Sequence, residues 1–160
     1  MKFIWHYETP IGRLGIAEAN GAVFHLLFDG NDDLLGCERA ESQALKTASR
    51  QLAEYFDGKR TCFDFPLSLN GTAFQRSAWQ ALQTIPFGET RSYKDVAIQI
   101  GSPKAARAVG MANNRNPIPI VIPCHRVVGS NGSLVGFAGG LGVKQYLLDL
   151  ERHHVQKGLF

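Results

Sequence analysis

Short apolar runs separated by turn residues occupy the first 28 positions of the chain. Residues 3–7, 14–19 and 22–28 each have the length and apolar content of a β-strand. The first two runs are separated by Thr9-Pro10-Ile11-Gly12, and the last two by Asn20-Gly21, which is a strong hairpin signal. This pattern predicts that the chain begins as an antiparallel sheet.

The spacing of apolar residues then changes from that of a strand to that of a helix. Between positions 41 and 56 apolar residues recur every three or four positions, and Gly58 follows where a helix is expected to stop. We expect this helix to cover the sheet. Phe63, Phe65 and Leu67 alternate with other residues and predict a last short strand, which residues 68–71 link to the rest of the chain.

The second half of the chain has a mainly helical pattern. Thr72 is a suitable N-cap for a helix whose apolar stripe ends at Pro86-Phe87-Gly88. Ser92 and Asp95 have the spacing of a capping box and predict a further helix over 93–100. The stripe of the first helix consists of Phe74, Ala78, Ala81, Leu82 and Ile85.

A third helix follows after a break of only three residues. Gly101 ends the preceding helix, and Ser102 and Pro103 supply an N-cap and a first-turn proline for a helix over 104–113. Two short helices joined so closely predict a helix-turn-helix. The second of them has small residues around Arg107, a pattern that suits either close approach to a nucleic-acid backbone or packing against another helix. These small residues are Ala105, Ala106, Ala108 and Gly110.

One cysteine lies within an apolar stretch, residues 120–128, whose composition otherwise predicts a buried strand. A thiol attacks as thiolate, and with a pKa of about 8.5 a free cysteine is only slightly ionised near neutrality. The imidazole of His125 could take the proton of Cys124. A structural thiol beside a surface histidine would give the same dipeptide. Because successive strand residues face opposite sides, we expect a water rather than direct contact between the two side chains.

Composition and charge narrow the class of protein. Apolar residues make up 44% of the 160 positions, and no apolar run reaches membrane-spanning length. Three cysteines without close pairing predict a reducing, cytoplasmic compartment. Residues 1–71 hold 7 Lys and Arg against 10 Asp and Glu, whereas residues 72–160 hold 10 against 4. The basic excess of the second half indicates either a polyanionic partner or a solvated basic face.

The segments around Cys124 form a specific motif. They read K-A-A-R-A-V-G at 104–110, N-P-I-P-I-V-I at 116–122 and P-C-H-R-V at 123–127. Four further segments accompany them: residues 74–79, I-P-F-G at 85–88, T-R-S-Y at 90–93 and G-F-A-G-G-L at 136–141. In this order they resemble the O6-alkylguanine-DNA alkyltransferase family, strongly over residues 72–155 and in length and strand pattern over 1–71.

The resemblance implies an α/β architecture of two domains. Residues 1–71 would form an N-terminal ribonuclease H-like α/β domain. Residues 72–160 would form a mainly helical, winged helix-turn-helix-like domain that binds DNA. The elements read from the sequence agree with this arrangement.

The resemblance also implies a reaction and its residues. Cys124 would accept an alkyl group from O6 of guanine, and from O4 of thymine, in a single irreversible turnover without a cofactor. His125 would act through water, Glu151 would orient His125, and Asn116 would brace the cysteine segment. Tyr93 would help to turn the phosphate and would donate its hydroxyl proton to guanine N3.

Further residues match the family's DNA-binding and pocket positions. Arg107 would replace the flipped base in the stack. The DNA contacts would include Ser92, Tyr93, Lys94, Ser102, Ala105 and Ala106, and the substrate pocket would include Pro119, Val127, Leu134, Phe137 and Ala138. The implied partner is double-stranded DNA carrying O6-alkylguanine, bound through its minor groove by a monomer. Some relatives bind zinc, but His6, His25, Cys37 and Cys62 do not reproduce their arrangement, so we expect no metal.

Three other classes of protein share parts of this pattern. A DNA-damage sensor of the alkyltransferase-like type would lack the nucleophile, and the presence of Cys124 argues against it. A cysteine hydrolase would normally have its base distant in sequence and a signature that is absent here. A transcription regulator would be expected to have a second DNA-binding or effector region. The expected location is the cytoplasm, with the nucleoid in a bacterium or the nucleus in a eukaryote.

Overall fold

The computed structural model describes residues 1–28, 36–137 and 139–158. The chain divides into two compact units, Met1–Leu69 and Asn70–Phe160. Within the described ranges, no helix has the length and apolar content needed to cross a bilayer.

The first unit contains a mixed four-stranded sheet. Strands β1 (Lys2–Thr9), β2 (Gly12–Ala19) and β3 (Ala22–Phe28) are antiparallel neighbours, as the sequence pattern predicts. A fourth strand, β4 (Cys37–Arg39), pairs in parallel with β1 and was not predicted, because three residues are too few to show an alternation. The strand order is β3-β2-β1-β4.

Helix α1 (Gln43–Phe56) packs against this sheet through the predicted apolar residues. The strand predicted over residues 63–67 is absent apart from an isolated bridge between Val23 and Leu67. Phe63 instead lies against the Tyr55 ring, at 5.6 Å between centroids, and Phe65 lies against Phe63 at 5.9 Å. Aromatic packing on α1 therefore replaces strand pairing in this segment.

The second unit begins with helices that are capped as predicted. In α2 (Ala73–Leu82), Thr72 and Gln75 form a reciprocal capping box, and in α3 (Tyr93–Gln99) Ser92 and Asp95 do the same. Each box satisfies two backbone N–H groups that a helix start leaves unpaired. The predicted starts and types of these two helices are confirmed.

The next helix, α4 (Ala106–Asn114), begins later than predicted. Ser102 is not its N-cap, because the Ala105 N–H donates to the Ser102 carbonyl at 2.8 Å and forms a separate turn. Ala105 precedes the helix without a side-chain cap. The connection between α3 and α4 therefore spans residues 100–105, twice the predicted length.

The segment predicted as a buried strand is mostly a set of tight turns. Ile120 has φ +75°, which reverses the chain, and Cys124–Arg126 form a 3-10 turn. Only β6 (Val127–Val128) is extended, and it pairs in parallel with β5 (Arg91–Ser92) immediately before α3. A long terminal helix, α5 (Leu141–Gln156), completes the unit and packs against the 3-10 turn.

Candidate active site

The thiol of Cys124 lies at the start of the 3-10 turn and is 3% exposed. The turn is closed by the Arg126 N–H, which donates to the Pro123 carbonyl at 3.0 Å. A 3-10 turn has about three residues per turn, so adjacent side chains diverge by about a third of a circle rather than pointing to opposite faces. The strand geometry assumed for Cys124 and His125 is therefore wrong.

The ring of His125 is buried and bonded to α5. Its Nε2 lies 2.6 Å from Glu151 Oε2, and its Nδ1 makes no hydrogen bond to any described residue, Cys124 included. Since an ionised carboxylate only accepts, Nε2 carries the proton in this pair and Nδ1 has an available lone pair. The expectation that His125 makes no direct hydrogen bond to Cys124 holds, although for a different geometric reason.

Glu151 also binds Arg126, a residue that the sequence reading did not select. The guanidinium donates from Nε to Oε1 at 2.8 Å and from Nη2 to Oε2 at 3.0 Å. Burial opposes ionisation of Glu151, but the hydrogen bonds and charges of His125 and Arg126 outweigh it and hold its pKa well below the usual range. Burial lowers the pKa of His125. The cluster therefore contains an ionised Glu151–Arg126 pair beside a neutral imidazole.

Asn116 holds the strained turn ahead of the cysteine. Its Oδ1 accepts from the Ile118 N–H at 3.0 Å, and its Nδ2 donates to the Ile122 carbonyl at 2.8 Å. Between them Ile120 is 1% exposed with φ +75°, a conformation that is unfavourable for a β-branched residue and costs on the order of 1–3 kcal/mol. Asn116 thus bonds to backbone groups on both sides of Ile120.

The surroundings of the Cys124 sulfur disfavour ionisation of the thiol. Burial raises the pKa of Cys124 to about 11, although a hydrogen bond from the Asn116 side chain, the charge of Lys144 and the backbone N–H of Ile120 oppose this rise. At pH 7 a thiol with this pKa is ionised in about one molecule in 10^4. The resting group is therefore a thiol, and attack requires a base.

Lys144 is a second residue that sequence reading missed. Its side chain is fully buried, and its Nζ donates to the carbonyls of Val135 and Gly136 at 3.0 and 3.4 Å. A lysine among the apolar residues of a helix looks like an ordinary surface charge in sequence, so only the fold shows that it faces Cys124.

Tyr93 is the first residue of α3, and the pairing of β5 with β6 places this helix start beside the cysteine segment. Its hydroxyl donates to the Val135 carbonyl at 2.8 Å. Burial raises the pKa of Tyr93, and the charge of an ionised Cys124 adds to the rise. Tyr93 and Lys144 thus bind the same carbonyl from two different helices.

The residues expected to contact DNA occur at the N-cap and first turn of α3, on α4 and in the connection between the two helices. Arg107 and Lys94 are exposed, whereas the Ser92 hydroxyl is engaged in the α3 cap. The half-buried positions are Ser92, Ser102, Ala105 and Ala106. A Cβ added at Gly110 would lie 3.8 Å from the Tyr93 ring, so part of the small-residue pattern serves packing between α3 and α4.

The residues expected to form the substrate pocket differ in accessibility. Val127 and Pro119 are buried, and Leu134 and Phe137 are half-buried. Ala138 lies outside the described residues. Asn113, which the sequence reading also missed, donates from Nδ2 to the Cys124 carbonyl at 3.2 Å. All three cysteines are free, and the described ranges contain no group of three or more His, Cys, Asp or Glu residues suited to a metal ion.

Comparison with known proteins assigns both halves of the chain. Residues 5–69 match the family model for the 6-O-methylguanine DNA methyltransferase ribonuclease-like domain, and residues 73–153 match that for its DNA binding domain. The chain is 48% identical to the methylated-DNA–protein-cysteine methyltransferase of Methanosarcina barkeri, with 93% of this chain and 96% of the relative covered. It is 60% identical to that of Mycolicibacterium paratuberculosis, with 92% and 90% covered.

A solved structure agrees with these sequence matches. The crystal structure of Mycobacterium tuberculosis OGT in complex with DNA superposes with a TM-score of 0.90 at 44% identity, covering 95% of this chain and 94% of the other. The similarity extends over both units. The chain therefore belongs to the 6-O-methylguanine DNA methyltransferase family.

Proposed function

We propose that Cys124 is the residue that receives the methyl group when this methyltransferase repairs O6-methylguanine in DNA. The observation that carries the assignment is the buried thiol on the same turn as a histidine whose Nε2 is held by Glu151 and whose Nδ1 is available. This is the order of nucleophile, base and orienting carboxylate found in other activated nucleophiles. The exposed Cys62 has no comparable surroundings.

The transfer is a displacement at the methyl carbon. The Cys124 proton passes through a water to His125 Nδ1, the sulfur–carbon bond forms, and the carbon–O6 bond breaks with its electron pair going to the guanine. Tyr93 gives its hydroxyl proton to guanine N3, and solvent exchange returns a proton from His125 to Tyr93. The net change is thiol plus O6-methylguanine to thioether plus guanine, so the step needs no cofactor, and a stable thioether ends the activity of that chain.

Base flipping gives the buried sulfur access to its substrate. A stacked guanine cannot bring its O6 group to a buried thiol, so the nucleotide leaves the duplex at a cost of a few kcal/mol. Arg107, exposed near the start of α4, fills the gap from the minor groove, and Ser92, Lys94, Ser102, Ala105 and Ala106 contact the backbone. The same arrangement extends the substrate range to other O6-alkylguanines and to O4-methylthymine.

The flipped base enters beside the Val135 carbonyl. In the structure the Tyr93 hydroxyl donates to this carbonyl, so donation to guanine N3 exchanges one acceptor for another. The other residues that we assign to the pocket are Pro119, Val127, Leu134 and Phe137. Ala138, which the family resemblance assigns with them, lies outside the described residues.

The remaining assignments concern organisation and location. Residues 1–71 form the ribonuclease H-like domain and residues 72–160 the DNA-binding domain, and the protein binds methylated duplex DNA as a monomer. We place it in the cytoplasm, with the nucleoid in a bacterium or the nucleus in a eukaryote. The basic excess of residues 72–160 supports DNA as the partner.

The assignment of Cys124 is tested by mapping the methyl group. The protein is incubated with duplex DNA containing O6-methylguanine, digested and analysed by mass spectrometry. We expect one methyl group on the peptide containing Cys124 in the native chain and in Cys62→Ala, and none in Cys124→Ala. Methylation that persists in Cys124→Ala would refute the assignment.

A further inference from the structure

Each nitrogen of the Arg126 guanidinium donates a hydrogen bond. Besides its two bonds to Glu151, it donates from Nη1 to the Ile85 carbonyl at 2.8 Å, and its guanidinium lies 5.8 Å from the Phe87 ring centroid. The residue is only 6% exposed. These three bonds hold the cation in a defined position relative to Glu151 and His125.

Both oxygens of Glu151 are shared between donors. Oε2 accepts from His125 and from Arg126 Nη2, while Oε1 accepts from Arg126 Nε and from the Gly88 N–H at 3.1 Å. Gly88 has φ +84°, and a Cβ there would come within 2.7 Å of Val155 Cγ2, so this backbone donor depends on glycine. The carboxylate therefore faces His125 as half of an ion pair.

We propose that Arg126 is a positioning residue that neutralises Glu151, so that His125 remains an uncharged base in the resting protein. A buried carboxylate alone would favour the imidazolium form of His125, which cannot accept the Cys124 proton. With Arg126 in place, Glu151 still orients the ring but its charge is compensated. This inference rests on the proposed roles of Cys124 and His125.

The other groups around His125 support this distribution of charge. Burial, the positive charge of Arg126 and that of Lys144 lower the pKa of His125, while Glu151 raises it. Cys124, on the same turn, is a neutral thiol at rest. Helix α2, which also packs against this turn, has Arg76 as its one charged residue, and Arg76 is exposed and donates to the Gly71 carbonyl. Arg126 is thus the cation that is bonded directly to the carboxylate holding His125.

The experiment measures the rate of Cys124 alkylation by free O6-benzylguanine as a function of pH. A free base removes DNA binding from the measurement, and the acid limb of the profile reports protonation of His125. In Arg126→Met the uncompensated Glu151 should move this limb up by about one pH unit or more, which lowers the rate about tenfold further at pH values below the native limb. Arg60→Met, which breaks the Arg60–Glu54 pair in the first unit, is the matched control and should keep the native limb.

Two further variants separate charge from structure. In Glu151→Gln the unopposed Arg126 should move the acid limb to lower pH, the opposite direction, and this variant keeps the test valid if Arg126→Met does not fold. In the double variant Arg126→Met/Glu151→Gln both charges are absent, and the limb should return towards its native position. The 15N resonances of the His125 ring should follow the same order.

The outcomes are distinct from those that test the function itself. If the native protein places no alkyl group on Cys124, the proposed function fails. If Cys124 is alkylated but Arg126→Met lowers the rate equally at every pH, or the double variant does not reverse the shift, Arg126 is only structural and this inference is overturned. An acid limb in Glu151→Gln that stays in place or moves to higher pH would overturn it as well.

Discussion

Replacing Asn116 tests whether the braced turn before Cys124 serves reactivity or only folding. Asn116→Ala leaves the buried Ile118 N–H without its acceptor, whereas the Ile122 carbonyl keeps a bond from the Cys124 N–H at 2.7 Å. The unsatisfied N–H costs about 1–3 kcal/mol, and the lost bond to Ile122 costs about 1 kcal/mol. Release of the strained Ile120 conformation returns part of this cost. We expect a net loss of about 2 kcal/mol, which corresponds to a decrease of roughly 4–8 °C in Tm for a chain of this size.

The same substitution should also slow the chemistry. Asn116 lowers the pKa of the Cys124 thiol, and it is the first of the groups that oppose the effect of burial. At pH values below the pKa of Cys124, loss of Asn116 should reduce the rate of alkylation by free O6-benzylguanine at least tenfold. Asn116→Asp retains an acceptor for Ile118 but places a negative charge beside the sulfur. A like charge at this range raises a pKa by about 1–3 units, so the reduction should reach about a hundredfold.

Asn113→Ala is the matched control. It removes one buried hydrogen bond to the Cys124 carbonyl but no group that lowers the pKa of the thiol. It should lower Tm while leaving the pH dependence of alkylation unchanged. If Asn116→Ala behaves in the same way, losing stability but keeping the native rate and pH profile, the proposed support of the thiolate by Asn116 is wrong.

Three further outcomes follow from the site. Arg107→Ala should slow repair of methylated duplex far more than alkylation by the free base, and equal losses would remove Arg107 from base flipping. Lys144→Met should slow alkylation about tenfold, because the cation that lowers the pKa of Cys124 is lost. Lys157→Met, at an exposed position, is the control and should keep the native rate. Equal rates in the two variants would contradict the role of Lys144. Because the folded pKa of Glu151 is depressed, its ion pair should stabilise the protein above about pH 4.3 and less as the pH falls below it. A plot of Tm against pH should be flatter in Glu151→Gln, and an unchanged slope would show that Glu151 does not contribute.

Local patterns predicted most of the regular structure. Asn20-Gly21 indicates a hairpin because it favours positive φ, and the structure has φ 54° and 87° at these positions. The capping boxes at Thr72 and Ser92 marked helix starts because their hydrogen bonds join residues only three positions apart, so this signal is also local in sequence. Ser102 met the same local rule but failed, because its carbonyl closes a turn with Ala105 before α4 begins.

The turn around Ile120 could not be predicted from its residues. An apolar β-branched run has the composition of a buried strand, and nothing local favours φ +75° at isoleucine. Asn116 donates one hydrogen bond and accepts another on the two sides of Ile120, and the Ile120 side chain is buried. These contacts override the preference of the isoleucine itself next to the reactive cysteine.

The cluster of His125, Glu151 and Arg126 was also only partly predictable from the sequence. The motif identified Cys124 and His125, and the resemblance supplied Glu151, but no role was predicted for Arg126, although it belongs to the same motif. Its bonds reach Glu151, 25 positions away, and the Ile85 carbonyl, 41 positions away. The packing of α5 against the 3-10 turn brings Glu151 to Arg126, and the packing of α2 against the same turn brings the Ile85 carbonyl, which follows α2.

Counting the methyl groups transferred per chain tests the central claim most directly. With methylated duplex in excess, a protein that forms a thioether at Cys124 should transfer one methyl group per chain and then stop, and the group should lie on Cys124. Continued release of repaired DNA beyond one equivalent would contradict a permanent acceptor. A full equivalent transferred by Cys124→Ala would contradict the assignment of the acceptor.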